Sequence, residues 1–340
     1  MPYTFTPSIC QQCPFGLCFE DRRNNPIRGR KTQFRVRQQA ALGCTFEEFV
    51  PDFDLELEHN LTFDEYILHF RNNILQAGKL LIGDEFKING NALAKVEGDI
   101  YELLEATVLW NIAAAWNRYM DSGPLRQADR EIIPLYNHIK LLQPESKHKI
   151  AIVKLPRRYD ATRLFSAIAR ANVSSLEAKL KSAQMELGLS APDVVGVRLA
   201  QDDFTHSQVF SIPLTNLNED NRSQIETAYT RFEGKISSSD LLFAIAIKRT
   251  MRSDRLYQPL FEANVLKYIL SLLGQSRFKF YAIAGSTEGA DVEGHYKAAS
   301  LISLIRGEQP ELAIDRLIVA ETPSALAVSM LEELTHYPWN

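Results

Sequence analysis

Two side chains with chemical potential stand at the ends of two apolar runs. Pro192-Asp193 opens the run Asp193–Leu199 (DVVGVRL), and Lys248 closes the run Leu241–Ile247 (LLFAIAI). A carboxylate and a lysine at the ends of neighbouring strands suit metal-assisted hydrolysis of a phosphodiester. The carboxylate holds Mg²⁺, while the ammonium orients the attacking water and stabilises charge on the phosphate. The usual arrangement for this chemistry puts a second acid two residues before the lysine, and here that position is Ala246. A complete version exists elsewhere, in Pro51-Asp52 with Glu85-Phe86-Lys87. On pattern alone that set scores higher, but neither half ends a convincing buried strand. Glu262, on the helix that follows Lys248, is the candidate for the missing acid, although most helix glutamates are simply solvated.

Directly after Lys248 comes Arg249-Thr-Met-Arg252-Ser-Asp254-Arg255. Arginine reads guanine bidentately through O6 and N7, and a carboxylate accepts from cytosine N4. Two arginines flanking an aspartate therefore suit adjacent G and C bases in a major groove. By composition alone, a surface ion-pair cluster is the commoner reading. A second basic stretch lies at residues 22–37, where Arg22, Arg23, Arg28, Arg30, Lys31, Arg35 and Arg37 occur with no acid among them. It motivates a nucleic-acid hypothesis in a chain whose net charge, −4, gives no global hint of one. Four cysteines, Cys10, Cys13, Cys18 and Cys44, lack the second close pair a zinc site wants, and reduced thiols are expected.

The elements that must carry these groups follow from periodicity. The 340 residues are 45% hydrophobic and 24% charged, ordinary globular usage with ample core. A long helix is expected over 91–120, with Leu93, Val96, Ile100, Leu103, Leu104, Val108, Ile112 and Trp116 at helical spacing. Strands are expected at Ile150–Leu155, Asp193–Leu199, Leu241–Ile247 and Phe278–Ala284. Helices are expected at Ala161–Ala171, Ser175–Leu187, Pro259–Leu273, Gly294–Ile305 and Ser324–Thr335, and Thr32–Ala41 could be helical. Residues 121–149 read as a loop rich in charge and proline. Strands alternating with helices predict an α/β protein with a helix-covered sheet. No apolar run is long enough to span a membrane, and Met1–Gly16 lacks a leader pattern, so a cytoplasmic location is expected.

The run Lys248-Arg-Thr-Met-Arg-Ser-Asp-Arg-Leu-Tyr-Gln-Pro-Leu-Phe-Glu-Ala-Asn264 resembles the active-site and recognition segment of type II restriction endonucleases that cut at CCGG cores. These belong to the PD-(D/E)xK superfamily, and the likeness is nearest to its SgrAI-type branch. Arg23-Asn-Asn-Pro-Ile-Arg-Gly-Arg-Lys-Thr-Gln-Phe34, Ala94-Lys-Val-Glu-Gly-Asp-Ile-Tyr-Glu102 and Pro192-Asp193 agree with it in the same order, over about residues 21–300.

The resemblance implies a restriction-endonuclease-like α/β core, a mixed central β-sheet flanked by α-helices. Residues 1–20, broken by Pro2, Pro7 and Pro14 and outside the likeness, read as an irregular segment before a single domain over 21–340, with a basic arm at 21–40 and a catalytic core at about 90–310. The resemblance implies that Asp193, Glu102 and Glu262 hold the metal with Lys248 beside them, which accounts for Ala246 and makes Asp52, Glu85 and Lys87 a coincidence. It implies that Arg252, Asp254 and Arg255 read the core and that Lys95 and Arg30 face the outer base pairs. The expected cofactor is Mg²⁺, with Mn²⁺ substituting and Ca²⁺ supporting binding without cleavage. The expected partners are double-stranded DNA, a second subunit, larger assemblies up to a tetramer or beyond, and a methyltransferase as genetic partner. The expected site is CR|CCGGYG. Three rivals stand beside this: a non-catalytic DNA-binding protein, a structure-selective repair or recombination nuclease, and a metabolic α/β enzyme. The last lacks a phosphate-binding glycine loop.

Overall fold

The computed structural model describes residues 19–22, 33–36, 53, 61–84, 86, 88, 90–184, 191–200, 204–251, 257–287, 291–307 and 310–339. Arg30, Arg252, Asp254 and Arg255 lie outside them, as do the four cysteines and Asp52, Glu85 and Lys87.

The strands are β1 (Phe19–Arg22), β2 (Gln33–Val36), β3 (Ile150–Lys154), β4 (Val194–Arg198), β5 (Leu241–Thr250), β6 (Lys279–Ser286) and β7 (Arg316–Val319). The helices are α1 (Phe63–Ile82), α2 (Gly90–Met120), α3 (Ile133–Leu142), α4 (Ala167–Ser182), α5 (Phe204–Val209), α6 (Glu219–Thr227), α7 (Tyr257–Leu272), α8 (Val292–Tyr296), α9 (Leu301–Arg306) and α10 (Pro323–His336). Strands β3 to β7 form one mixed sheet in chain order. The pairs β3–β4 and β4–β5 are antiparallel, and β5–β6 and β6–β7 are parallel. This is the expected mixed α/β sheet.

Central β5 is buried from Leu241 to Ile247, as an unbroken apolar run demands of a strand covered on both faces. Gly196 of β4 is required by its neighbour, because a Cβ there would lie 2.2 Å from the Phe243 ring. Helix α2 is the other half of the core. It packs against β3, β5, α1, α3 and α10, and residues 103–116 are buried on every side, the mark of an interior helix. Thr107, Asn111 and Asn117 find backbone partners: Asn117 accepts from Ile150 N–H (2.8 Å) and donates to the Ile150 carbonyl (2.7 Å), tying α2 to β3.

Some elements differ from the sequence expectation. The pair expected at Ala161–Ala171 and Ser175–Leu187 is a 3-10 turn, Ala161–Leu164, followed by one helix, α4. Ser166 caps that helix and buried Val173 anchors it across the expected gap. Gln33–Val36, inside the possible helix Thr32–Ala41, is instead paired antiparallel with Phe19–Arg22. The expected loop after α2 contains α3, with Pro134 in its first turn. Gly294–Ile305 divides into α8 and α9. No helix among the described residues is long and apolar enough to cross a membrane.

Candidate active site

The start of β4 meets the end of β5, and their pairing assembles the first two groups. Asp193 N–H donates to the Ile245 carbonyl at 3.0 Å. The Asp193 carboxylate accepts from Ile247 N–H at 2.7 Å and from Lys248 Nζ at 3.0 Å. A strand-edge hydrogen bond thus aims the carboxylate at the lysine, and both side chains are mostly buried.

Two further acids arrive from helices. Glu102 on α2 accepts from Lys154 Nζ, at the end of β3, at 3.3 Å. Glu262 on α7 accepts from Gln258, one turn earlier, at 3.0 Å. Burial raises the proton affinity of Glu102, and the charge of Asp193 adds to it against the pull of Lys154 and Lys248. Burial pushes Glu262 up to about 7, with Asp193 adding to the rise and Gln258 and Lys248 opposing it. Burial alone would lower the affinity of the Lys248 ammonium. Asp193, with Glu102 and Glu262, outweighs it and holds the lysine charged beyond its ordinary range. Lys248 thus touches Asp193 and feels the charges of Glu102 and Glu262, while Lys154 pairs with Glu102 from the other side.

Beneath this cluster lies a fourth acid. Glu105, one turn from Glu102, is wholly buried. Among the described residues neither of its oxygens makes a well-formed hydrogen bond, and nor does the adjacent Tyr101 hydroxyl. Burial pushes Glu105 up to about 8; the nearby Tyr101 hydroxyl works against this, and the Asp193 and Glu102 charges add to it. On the outer side of α2, Lys95 is exposed and lines a cavity of about 320 Å³ with Asp99, Glu102, Lys154 and Arg157.

The Cfr10I/Bse634I restriction endonuclease family model matches residues 53–334. The chain belongs to that family. It is a type II site-specific deoxyribonuclease, and the binding-only, structure-selective and metabolic rivals fall with that membership. Among solved structures it is similar to the Type IIF restriction endonuclease Bse634I with cognate DNA (TM-score 0.70, 20% identity, covering 94% of this chain and 97% of that one). A second structure of Bse634I restriction endonuclease gives a TM-score of 0.69 at 20% identity, covering 92% and 96%. At that identity the likeness speaks for the fold. No curated protein matches the chain.

Enzymes of the Cfr10I/Bse634I family generally use divalent metal ions. Among the described residues no three acidic, histidine or cysteine side chains form a ready-made metal cage. The donor chemistry nevertheless fits a hard cation. The converging groups are carboxylates, and two of them, Glu102 and Glu262, carry raised proton affinities that a divalent charge would relieve.

Of the residues expected from sequence, Asp193, Lys248, Glu102 and Glu262 come together. Lys95 lies on the same helix as Glu102, facing the outer cavity. Arg30, Arg252, Asp254 and Arg255 lie outside the described residues. Sequence reading passed over Lys154, although it closes an apolar strand just as Lys248 does. It also passed over Glu105 and Glu97, both set among the apolar positions of the 91–120 helix.

Proposed function

We propose that this enzyme cuts both strands of a DNA palindrome with a CCGG core, with CR|CCGGYG as the full site, leaving 5′-phosphates and four-base 5′ overhangs. The observation that carries the reading is the contact of Asp193 with Lys248, within electrostatic reach of Glu102 and Glu262, at the strand end that precedes Arg252-Ser-Asp254-Arg255 in the chain. Asp193, Glu102 and Glu262 hold Mg²⁺, with Mn²⁺ as substitute and Ca²⁺ supporting binding alone. When bound, the ion supplies charge to the phosphate and acidifies the attacking water.

The chain's own groups do the rest. Asp193 is pinned by Ile247 N–H, so its carboxylate cannot swing away from the lysine. Lys248 keeps its proton, orients the water and offsets charge gathering on the phosphate oxygens. Water oxygen bonds to phosphorus as the bond to the 3′ oxygen breaks, and the strand leaves as a 3′-hydroxyl after taking up a proton. Arg252 and Arg255 read guanines and Asp254 reads cytosine N4. Lys95 and Arg30 face the outer base pairs. A palindrome calls for two subunits, each cutting one strand. Pairing of dimers into tetramers or larger assemblies, and a host methyltransferase protecting the site, belong to the same reading.

The test is digestion of a fully sequenced genome in Mg²⁺, followed by sequencing of the cut ends. Ends that all begin 5′-CCGG within one longer palindrome support the proposal and give the outer bases. Ends that share a different sequence overturn the CCGG core.

A further inference from the structure

Lys248 and Arg249 are successive strand residues, so their side chains leave opposite faces of β5. Lys248 goes to Asp193, and Arg249 goes to the helices. Its Nη1 donates to Glu97 on α2 at 3.0 Å, and its Nε donates to Asp64 on α1 at 2.9 Å. Glu97 is almost wholly enclosed, its side chain 3% exposed. It also accepts a two-pronged contact from Arg71, at 2.6 and 2.8 Å. One buried carboxylate thus grips two guanidinium groups, a geometry that holds direction as well as charge.

The backbone at Arg249 is gripped too. Tyr101 lies one turn beyond Glu97 on α2. A Cβ on Gly285 of β6 would stand 2.9 Å from the Tyr101 hydroxyl and 3.0 Å from the Arg249 carbonyl, so any larger residue would press on both. Met251 N–H then donates to the Ser286 carbonyl at 3.0 Å, and Met251 is fully buried. The path from Lys248 to residue 251 is therefore fixed on both sides, immediately before the arginine–aspartate segment.

A carboxylate this deeply buried costs more in desolvation than a hydrophobic contact would, so stability alone is a weak reason for it. We propose that Glu97 and Arg249 are positioning residues that couple base reading to cleavage. They fix the lead from Lys248 into Arg252–Arg255, so that a correctly read sequence brings the lysine and Asp193 into register with the scissile phosphate. The inference rests on the roles proposed above for Lys248 and Arg252.

The test uses the full chain and the variants Glu97→Gln, Arg249→Gln, Arg249→Lys and the Gln/Gln double. Single-turnover cleavage in Mg²⁺ is measured on a duplex with the enzyme's own site and on one with a single core base pair changed. Binding to both duplexes in Ca²⁺ and thermal unfolding are followed alongside. Glu97→Gln and Arg249→Gln should each reduce the cleavage ratio between the duplexes by about tenfold or more, with the double no worse than either single. Arg249→Lys, which keeps one donor for Glu97, should recover part of it, and binding to unrelated DNA should not change. Wild-type discrimination in both glutamine variants overturns the proposal. Equal losses on both duplexes that track a falling Tm also overturn it, because they describe a stabilising contact only. If Glu97→Gln does not fold, Arg249→Gln decides, and full discrimination there refutes the coupling. Lys248→Ala and Arg252→Ala separate the two readings. Normal cutting by these two sinks the assignment of the site itself. Their expected failure beside unaffected Glu97 and Arg249 variants sinks the coupling alone.

Discussion

Glu105 offers a sharp test of the electrostatics beneath the site. Replacing it by glutamine keeps its size and removes its titration. The folded protein raises this carboxyl from 4.5 to about 8, chiefly by burial. Each tenfold change in proton affinity is about 1.4 kcal/mol, so the linkage ceiling is about 5 kcal/mol. The sign follows from proton counting. Between pH 4.5 and 8 the folded chain keeps this proton and the unfolded chain has lost it, so stability falls as pH rises through that window and levels off above it. Between pH 5.5 and 8.5 the residue alone should remove about 3 kcal/mol from the wild type and nothing from the variant. Burial also raises Glu262 and Glu102, so the wild-type slope by itself is not diagnostic, and the difference between the two proteins is. The assay is urea unfolding of both in EDTA at fixed protein concentration, at several pH values. The variant should gain about 2 kcal/mol or more on the wild type from pH 5.5 to 8.5. Parallel stability curves would refute the claim that Glu105 is buried with its proton.

Asp193→Ala and Lys248→Ala should abolish cutting while leaving specific binding in Ca²⁺ measurable; a fully active Asp193→Ala enzyme would remove the proposed centre. Arg252→Ala should instead lose specific binding, by about 1–3 kcal/mol or more, read by competition between cognate and unrelated duplexes. An unchanged preference contradicts its base-reading role. Lys154→Met removes the cation beside Glu102 and so raises that carboxyl's proton affinity further. Cleavage should then fall more at pH 6.5 than at pH 8.5, and an equal loss at both pH values would mean that Lys154 does not act through Glu102.

The sequence was most legible where one kind of burial covers a whole run. The strands near 150–155, 193–199, 241–247 and 278–284 and the 91–120 helix all appear, within a few residues at their ends. Runs of valine, isoleucine and leucine buried on both faces have few alternatives. Helix α1 escaped notice although Thr62 and Glu65 form a reciprocal cap at its start. That signal is local chemistry rather than periodicity. Strand β7 was missed because four residues at a sheet edge, partly exposed, leave almost no pattern. At the site, Asp193 and Lys248 stood out because each punctuates an apolar run. Glu97, Glu105 and Lys154 did not, because what distinguishes them is burial against elements far away in the chain.

Those missed residues share a logic set by the helix repeat. Positions 97, 101 and 105 of α2 recur every four residues and share a face, while 95, 99 and 102 share another. The first face grips β5 and β6 through Glu97 on Arg249 and Tyr101 against Gly285, and ends in Glu105 below the cluster. The second opens on the cavity lined by Lys95, Asp99 and Glu102. A single rigid helix, buried along its middle, therefore touches the carboxyl cluster, the strand that leaves Lys248 and the cavity where Lys95 stands. Displacing it by any contact on one face must displace the others, because interiors at crystal-like density do not deform locally. With the roles proposed for Lys95 and Lys248, α2 is the element through which a change at the outer base pairs would reach that lysine. The double-mutant comparison of Glu97 and Arg249 measures the first link of that chain.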